Sequence, residues 1–455
     1  MKLYSFSKYR EQYRENLRLA IPVMLSQLGQ IIVQVADNAM VGHYGGEDPV
    51  PLAAAAFGGG IFFLTFIAMM GITFGITPIV GELYAQKREV ESTKYLQNGL
   101  LLFGALSVVA TALQYLLIPL MWRMGQPDEV VAAAIPYFKT LTWSLIPVVI
   151  FFVIKQFLEG LGNTKVAMCS VILSNVVNII LNYLLIGGEF GAPELGVLGA
   201  GIATLTSRIV MAAAIVAYFV TSHKMLKYRE LFARVNFSKS AVRRLVTMGL
   251  PISLQIFLEA STFIVIGFMF GQFGAAAIGA NQIGITLGNC SFMIIVAIGS
   301  ATTIRISHCY GQRDFAQLKL ASYAAYHLAA LWNISAAILY FSLRHHIPMI
   351  FSSNEEILRL ASIFVIAIVA YQIPDGVQCI SVGILRGMQD VKRIPFIALF
   401  SYWLCNIPVA YLCAFHLGMG ESGLYMGFVV GFATAALLLI LRIRYRYRSL
   451  TLDGE

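Results

Sequence analysis

Twelve stretches of this chain are apolar over the length of a bilayer crossing, and that fact limits the fold more than any motif does. An apolar helix of about 20 residues spans the hydrocarbon core. Such stretches run over 17–42, 52–80, 96–121, 131–157, 166–187 and 197–221. A polar, basic segment follows from Ser222 to Arg244, and six more stretches run over 245–272, 277–303, 318–342, 357–384, 394–415 and 423–442. In lipid each backbone polar group has to be satisfied within the protein, so these stretches are expected to be helices. The composition agrees. Charged residues make up 12% of the chain, whereas a soluble domain carries about 25%. Too little charge is present to cover a water-facing surface, so lipid must cover it.

The basic residues give the orientation. If the N-terminus is inside, 27 of the 32 Lys and Arg fall on inside loops and helix ends. Three lie outside (Arg123, Arg344, Arg359) and two, Lys139 and Arg208, fall within spans. Such an excess predicts that both termini and the 222–244 segment are cytoplasmic. Met1 to Asn16 is polar and basic without a cleavage signature, and the first apolar run is too long for a signal peptide, so it is expected to stay as a helix. The formal charge of +9 is spread over short loops, which is an orientation pattern and not a nucleic-acid surface. The six cysteines show no metal-ligand spacing. No cofactor is expected.

The chain repeats itself. Pro22 and Pro251 lie early in a first helix of each half, and Met40-Val41-Gly42 is followed at the same offset of 229 by Met269-Phe270-Gly271. Tyr84-Ala85-Gln86-Lys87 pairs with Tyr310-Gly311-Gln312-Arg313 at offset 226. Ile146-Pro147 with Ile373-Pro374, and Leu158-Glu159-Gly160 with Leu385-Arg386-Gly387, follow at 227. Two six-helix repeats enter the membrane from the same side, so they are expected to be related by an axis along the membrane normal. The expected organisation is an N-terminal six-helix lobe over 1–221, a cytoplasmic linker over 222–244 and a C-terminal six-helix lobe over 245–455. Pro147 and Pro374 are each expected to release a carbonyl one turn back.

Three of the 23 acidic residues lie well inside spans: Asp37, Glu259 and Asp375. A carboxylate at the bilayer centre costs roughly 2.5–3.5 kcal/mol on insertion scales, and such residues mark ion and proton paths. Tyr371 is one helical turn from Asp375. Two carboxylates and a hydroxyl form an oxygen-rich cage for Na⁺, and an unpaired buried carboxyl equally suits a proton relay. The residues leave H⁺ and Na⁺ both open. In the first half, Asn178 and Asn182 share a helix face and Thr204 lies on the next helix, polar company for Asp37. Gln34, Asn281 and Gln282 are weaker candidates for a cavity lining. Aromatic and Met side chains suit flat cationic substrates.

With these residues in view, the chain resembles the multidrug and toxic compound extrusion (MATE) family of the MOP flippase superfamily. The resemblance rests on Pro22, Gln34-Val35-Ala36-Asp37 and Met40-Val41-Gly42. It extends to Leu258-Glu259-Ala260, Ala280-Asn281-Gln282-Ile283 and Leu385-Arg386-Gly387. Glu259 with Tyr371 and Asp375 is similar to the NorM-type branch, which implies Na⁺ or H⁺ coupling at those residues. Asp37 with Asn178, Asn182 and Thr204 resembles the family's first-half site, where Asn182 stands in place of an Asp common in the DinF-type branch. The family implies an all-α, V-shaped fold of two six-helix bundles in a bacterial inner membrane. It also implies a monomer that exports bulky, often cationic drugs by cation antiport.

Rival readings are weaker. A flippase for a lipid-linked or polysaccharide precursor needs a basic cavity, for which Arg208 alone speaks. An enzyme is not expected, because no HExxH, GxSxG or nucleotide loop occurs. A channel ring would be symmetric across the repeats, yet Glu259 aligns with Gln30, Asp37 with Ile266 and Asp375 with Val148.

Overall fold

The computed structural model describes residues 6–45, 50–234 and 236–452. Among these the regular structure is helical throughout. Twelve helices are long and apolar enough to cross a membrane. They are α1 (Tyr9–Gly42), α2 (Val50–Ala85), α3 (Glu89–Met121), α4 (Asp128–Gly160), α5 (Lys165–Ile186) and α6 (Gly196–Thr221). The second set is α7 (Lys239–Phe273), α8 (Ala275–Gly311), α9 (Phe315–Ser342), α10 (Glu355–Gly387), α11 (Ile394–His416) and α12 (Glu421–Leu450). Each matches one of the twelve apolar stretches. Most run longer than the apolar core of the stretch, because polar turns at the ends continue the helix into the interface.

Proline shapes the spans unequally. Pro147 has no N–H for the Trp143 carbonyl, and α4 is interrupted at Ser144, between Asp128–Trp143 and Leu145–Gly160. Pro374 lies inside an unbroken helix, Glu355–Gly387. The two equivalent prolines therefore have different outcomes. In α11 two stretches, Leu399–Asn406 and Leu412–His416, widen to π-helical turns, a local winding often found at functional sites.

The repeat is repeated in the packing. Thr77 Oγ1 donates to the Gln156 carbonyl at 3.0 Å, and Thr303 Oγ1 to the Gly383 carbonyl at 3.1 Å. Gly160 faces Val80 and the Thr77 carbonyl, and Gly387 faces Ile306 and the Thr303 carbonyl. Small residues allow helices to approach at these points. After each of these contacts the chain turns through a residue of positive φ, Lys87 at 58° and Arg313 at 57°.

By compactness the chain forms two units, Leu25–Ser253 and Met1–Met24 with Leu254–Glu455, called here the first and second lobes. The boundaries fall inside α1 and α7, and the 222–244 segment expected as a linker belongs to the first lobe with its helix Leu226–Phe232. The contacts give the reason. Early in α7, a Cβ on Gly249 would overlap the Ile72 carbonyl, Ser253 Oγ donates to the Ala68 carbonyl at 2.8 Å and Arg244 pairs with Glu82 at 2.7 Å. Early in α1, Gln12 bonds Gln317 at 2.8 Å and accepts from Arg305 at 2.6 Å. Tyr13 shares a hydrogen bond with His327 at 2.9 Å.

Candidate functional site

In the second lobe the two expected acids come together. Glu259 lies midway along α7 and Asp375 one residue after Pro374 on α10. The side-chain amide of Gln378, one turn after Asp375, donates to both: to Glu259 Oε1 at 3.2 Å and to Asp375 Oδ1 at 3.3 Å. The other oxygen of Glu259 accepts from Gln255 Nε2 at 2.7 Å. Arg386 Nη2 donates in turn to Gln255 Oε1 at 2.7 Å, so its charge reaches Glu259 through one amide. The Tyr402 hydroxyl of α11 donates to Gln378 Oε1 at 2.8 Å. Asp375, Gln378 and Tyr402 are buried. Two acceptor-only carboxylates on one N–H₂ donor crowd negative charge into an apolar setting, an arrangement that a proton or a monovalent cation would relieve.

Tyr371 is buried one turn before Asp375 but is turned elsewhere. Its hydroxyl lies against the backbone of Gly288, and its ring lies parallel to Tyr425 at 6.4 Å with Phe428 at 5.8 Å and Phe432 at 5.6 Å. Among the described residues no hydrogen bond joins it to either carboxylate. It lines a small cavity with Phe263, Asn281, Tyr425 and Phe428. Asn281 Oδ1 accepts from the Tyr425 hydroxyl at 3.0 Å. Gln282, the next residue, is exposed, because neighbours on a helix point about 100° apart. The side chain of Gln34 lies outside the described residues.

In the first lobe, Asn182 of α5 donates to Asp37 Oδ1 of α1, and to Asn178 Oδ1 at 3.1 Å. Both asparagines are buried. Thr204 on α6 contributes a carbonyl, which accepts from Ser207 Oγ at 2.9 Å. Among the described residues its side chain makes no hydrogen bond to Asp37.

Sequence reasoning missed Gln255, Gln378, Arg386 and Tyr402. A signal existed for two of them: Gln378 follows Asp375 by three residues and Gln255 precedes Glu259 by four, which puts each pair on one helix face. Lys155 and Glu159, an ion pair at 3.6 Å near the end of α4, also escaped it, because Glu159 lies just beyond the apolar run.

The family model MatE matches the chain twice, over residues 22–184 and 251–412. This chain belongs to the MATE family. The two matches start at Pro22 and Pro251, the offset of 229 found in the sequence itself, so each half is one copy of the family's unit. Solved structures share the fold over nearly their whole length. A MOP superfamily transporter of Pyrococcus furiosus superposes with a TM-score of 0.83 at 22% identity, covering 97% of each chain. The Vibrio cholerae MATE transporter VcmN gives 0.85 at 18% identity, over 97% of this chain and 98% of that one. The eukaryotic MATE transporter AtDTX14 gives 0.85 at 21%, over 98% and 100%. As a MATE member with twelve candidate spans, the chain is a multi-pass membrane transporter of two-lobe fold.

Proposed function

We propose that this transporter is a cation-coupled antiporter that exports bulky, often cationic organic compounds by alternating access. The observation that carries the reading is the Glu259–Gln378–Asp375 cluster, two carboxylates around one amide inside a lobe of a MATE member. Na⁺ or H⁺ is the coupling ion. Occupancy of the cluster favours one conformation and the exported compound the other, and the shift is limited by their differential affinities. The aromatic side chains around Tyr371 are of the kind that hold flat cations through stacking and cation–π contact. The protein acts as a monomer in a bacterial inner membrane, with both termini inside.

The direct test is efflux of ethidium or norfloxacin from reconstituted vesicles under an imposed Na⁺ or pH gradient. Transport should follow one gradient and stop when it is collapsed. Efflux indifferent to both gradients would overturn the coupling. The flippase alternative draws on Arg208 in the first lobe. It predicts movement of a fluorescent polyprenyl-linked sugar between leaflets without any drug transport.

Topology has its own test. In a Cys-less background, Lys239→Cys should resist an impermeant thiol reagent in intact cells and react once the cells are opened. Labelling in intact cells would reverse the orientation read from the basic residues.

A further inference from the structure

In the second lobe, α10 runs unbroken through a proline. Pro374 offers no N–H to the Ala370 carbonyl, and its ring crowds that carbonyl, yet the helix continues over Glu355–Gly387. The equivalent Pro147 interrupts α4 at Ser144, the position of Tyr371 in the repeat. The same residue at the same place has two outcomes, so the difference lies in its surroundings.

Beside Pro374 lies a pair of amides. Asn333 of α9 donates from Nδ2 to the Gln372 carbonyl at 2.9 Å, and Gln372 donates from Nε2 to the Asn333 carbonyl at 2.8 Å. Each side chain thus bonds the backbone of the other's helix. These partners fix the orientation of both amides, because a carbonyl can only accept. Both residues are buried. Gln372 lies in the turn that Pro374 weakens, and the two hydrogen bonds fasten that turn to α9. Gly376 makes room for them: a Cβ there would overlap the Asn333 side-chain nitrogen. Asn333 Oδ1 and Gln372 Oε1 find no donor among the described residues. Leaving a buried polar atom unpaired is costly, so the gain from the pair lies with its two N–H₂ donors.

The first lobe has no such pair at its proline. At the offset of 227 that relates the two prolines, Gln372 corresponds to Leu145, Gly376 to Val149 and Asp375 to Val148. The aliphatic side chain of Leu145 cannot donate to a carbonyl, and Val149 fills the position that Gly376 leaves open. The bridging amide, the glycine and the acid occur together in α10 and are absent together from α4.

We propose that Asn333 and Gln372 form a reciprocal amide clamp that carries α10 through Pro374 and holds Asp375 in place at Gln378. Both are positioning residues: among the described residues neither bonds a carboxylate. Asp375 directly follows Pro374. Its hydrogen bond from Gln378, at 3.3 Å, is already long, so a small shift of the turn parts it from the amide it shares with Glu259. That Asp375 is held there for ion uptake rests on the coupling proposed above; the clamp itself does not.

The test is hydrogen–deuterium exchange of the purified full-length protein in detergent, read at the α10 amides from Tyr371 to Gln378. Asn333→Leu and Gln372→Met keep the approximate shape of each side chain and remove its donor. Each should speed exchange there by about fivefold to tenfold, the weight of one net hydrogen bond, with amides elsewhere in the lobe little changed. Pro374→Ala restores the missing N–H, and in that background Asn333→Leu should add little. Alanine favours a helix over glycine, yet in Gly376→Ala its Cβ displaces the Asn333 amide, so exchange should rise. If Asn333→Leu speeds exchange as much in the Pro374→Ala background as beside the native proline, or if Gly376→Ala slows it, the clamp is overturned. Should Asn333→Leu alone yield no folded protein, recovery by Pro374→Ala supports the clamp and continued failure overturns it. Efflux gives the second reading. Under a gradient that drives the unmodified protein, Asn333→Leu should lower the rate by about tenfold, the usual cost of losing a group that orients an ion ligand. Unchanged efflux in a variant whose exchange has risen would overturn the hold on Asp375. An unmodified protein without gradient-driven efflux would sink the coupling instead, and exchange alone would then decide the clamp.

Discussion

Replacing Glu259 by Gln or Asp375 by Asn should abolish gradient-driven efflux, with initial rates down by roughly 100-fold, the upper range of an ordinary coupling free energy. Each substitution keeps the shape of the side chain and removes its charge. The remaining carboxylate then no longer shares Gln378 with a second anion, and the reason for the cluster to take up a cation is gone. Equilibrium binding of the drug should persist, since neither substitution alters the aromatic side chains around Tyr371. Gln378→Leu should be nearly as damaging. It removes the shared donor and leaves the Tyr402 hydroxyl without its acceptor, a buried polar loss of about 1–3 kcal/mol. Tyr371→Phe should cost only a few-fold, because its hydroxyl bonds neither carboxylate. Efflux measured in vesicles at matched protein density decides the matter. If both carboxylate variants transport at the unmodified rate, the cluster is not the coupling site.

A larger effect on folding is expected at Gly387 and its repeat equivalent Gly160. A Cβ on Gly387 would lie 2.6 Å from Ile306 Cβ and 2.9 Å from the Thr303 carbonyl oxygen, and one on Gly160 would lie 2.8 Å from Val80 Cβ. These are backbone and Cβ atoms, which cannot swing aside as the tip of a long side chain can. Overpacking by a methyl group costs about 1–3 kcal/mol, so Gly387→Ala should lower the melting temperature by several degrees. Gly387→Leu should yield no folded protein. Gly104→Ala is the control: nothing lies within 4 Å of its Cβ position, and alanine in a helix is favoured over glycine by about 1 kcal/mol. Size-exclusion profiles and thermal melts in detergent would separate the three. A Gly387→Leu protein that melts like the unmodified one would show that this approach of α8 and α10 is not tight.

Much of the fold and part of the site are legible in the amino-acid sequence. Twelve spans follow from apolar length alone, and the repeat follows from Pro22, Gly160 and their partners. A meeting of Glu259 and Asp375 is expected because two isolated charges in lipid would each bear the full insertion cost. What the sequence does not supply is the third helix. Tyr402 reaches Gln378 only because α11 lies beside α10 at that height, and no spacing within either helix encodes that. Tyr371 misleads for the same reason. Its position four residues before Asp375 gives a shared face, but its side chain follows the room offered by Gly288 and Tyr425. The lobe boundaries are half visible. Residues 24/25 and 253/254 are again 229 apart and lie just after Pro22 and Pro251, yet an unbroken apolar run gives no sign that its two ends belong to different lobes.

The opening turns of α1 complete the second lobe, and Tyr13 bonds His327, 314 residues further along the chain. At ordinary elongation rates of about 5–20 residues per second the partner helix emerges roughly 15–60 s later. The first lobe can close once Ser253 has been made, whereas the opening turns of α1 wait for the ninth span. Loop closure over such a separation slows assembly. Of the second lobe's segments, the opening turns of α1 are therefore exposed longest, and this is where a membrane chaperone or an assembly defect would act first.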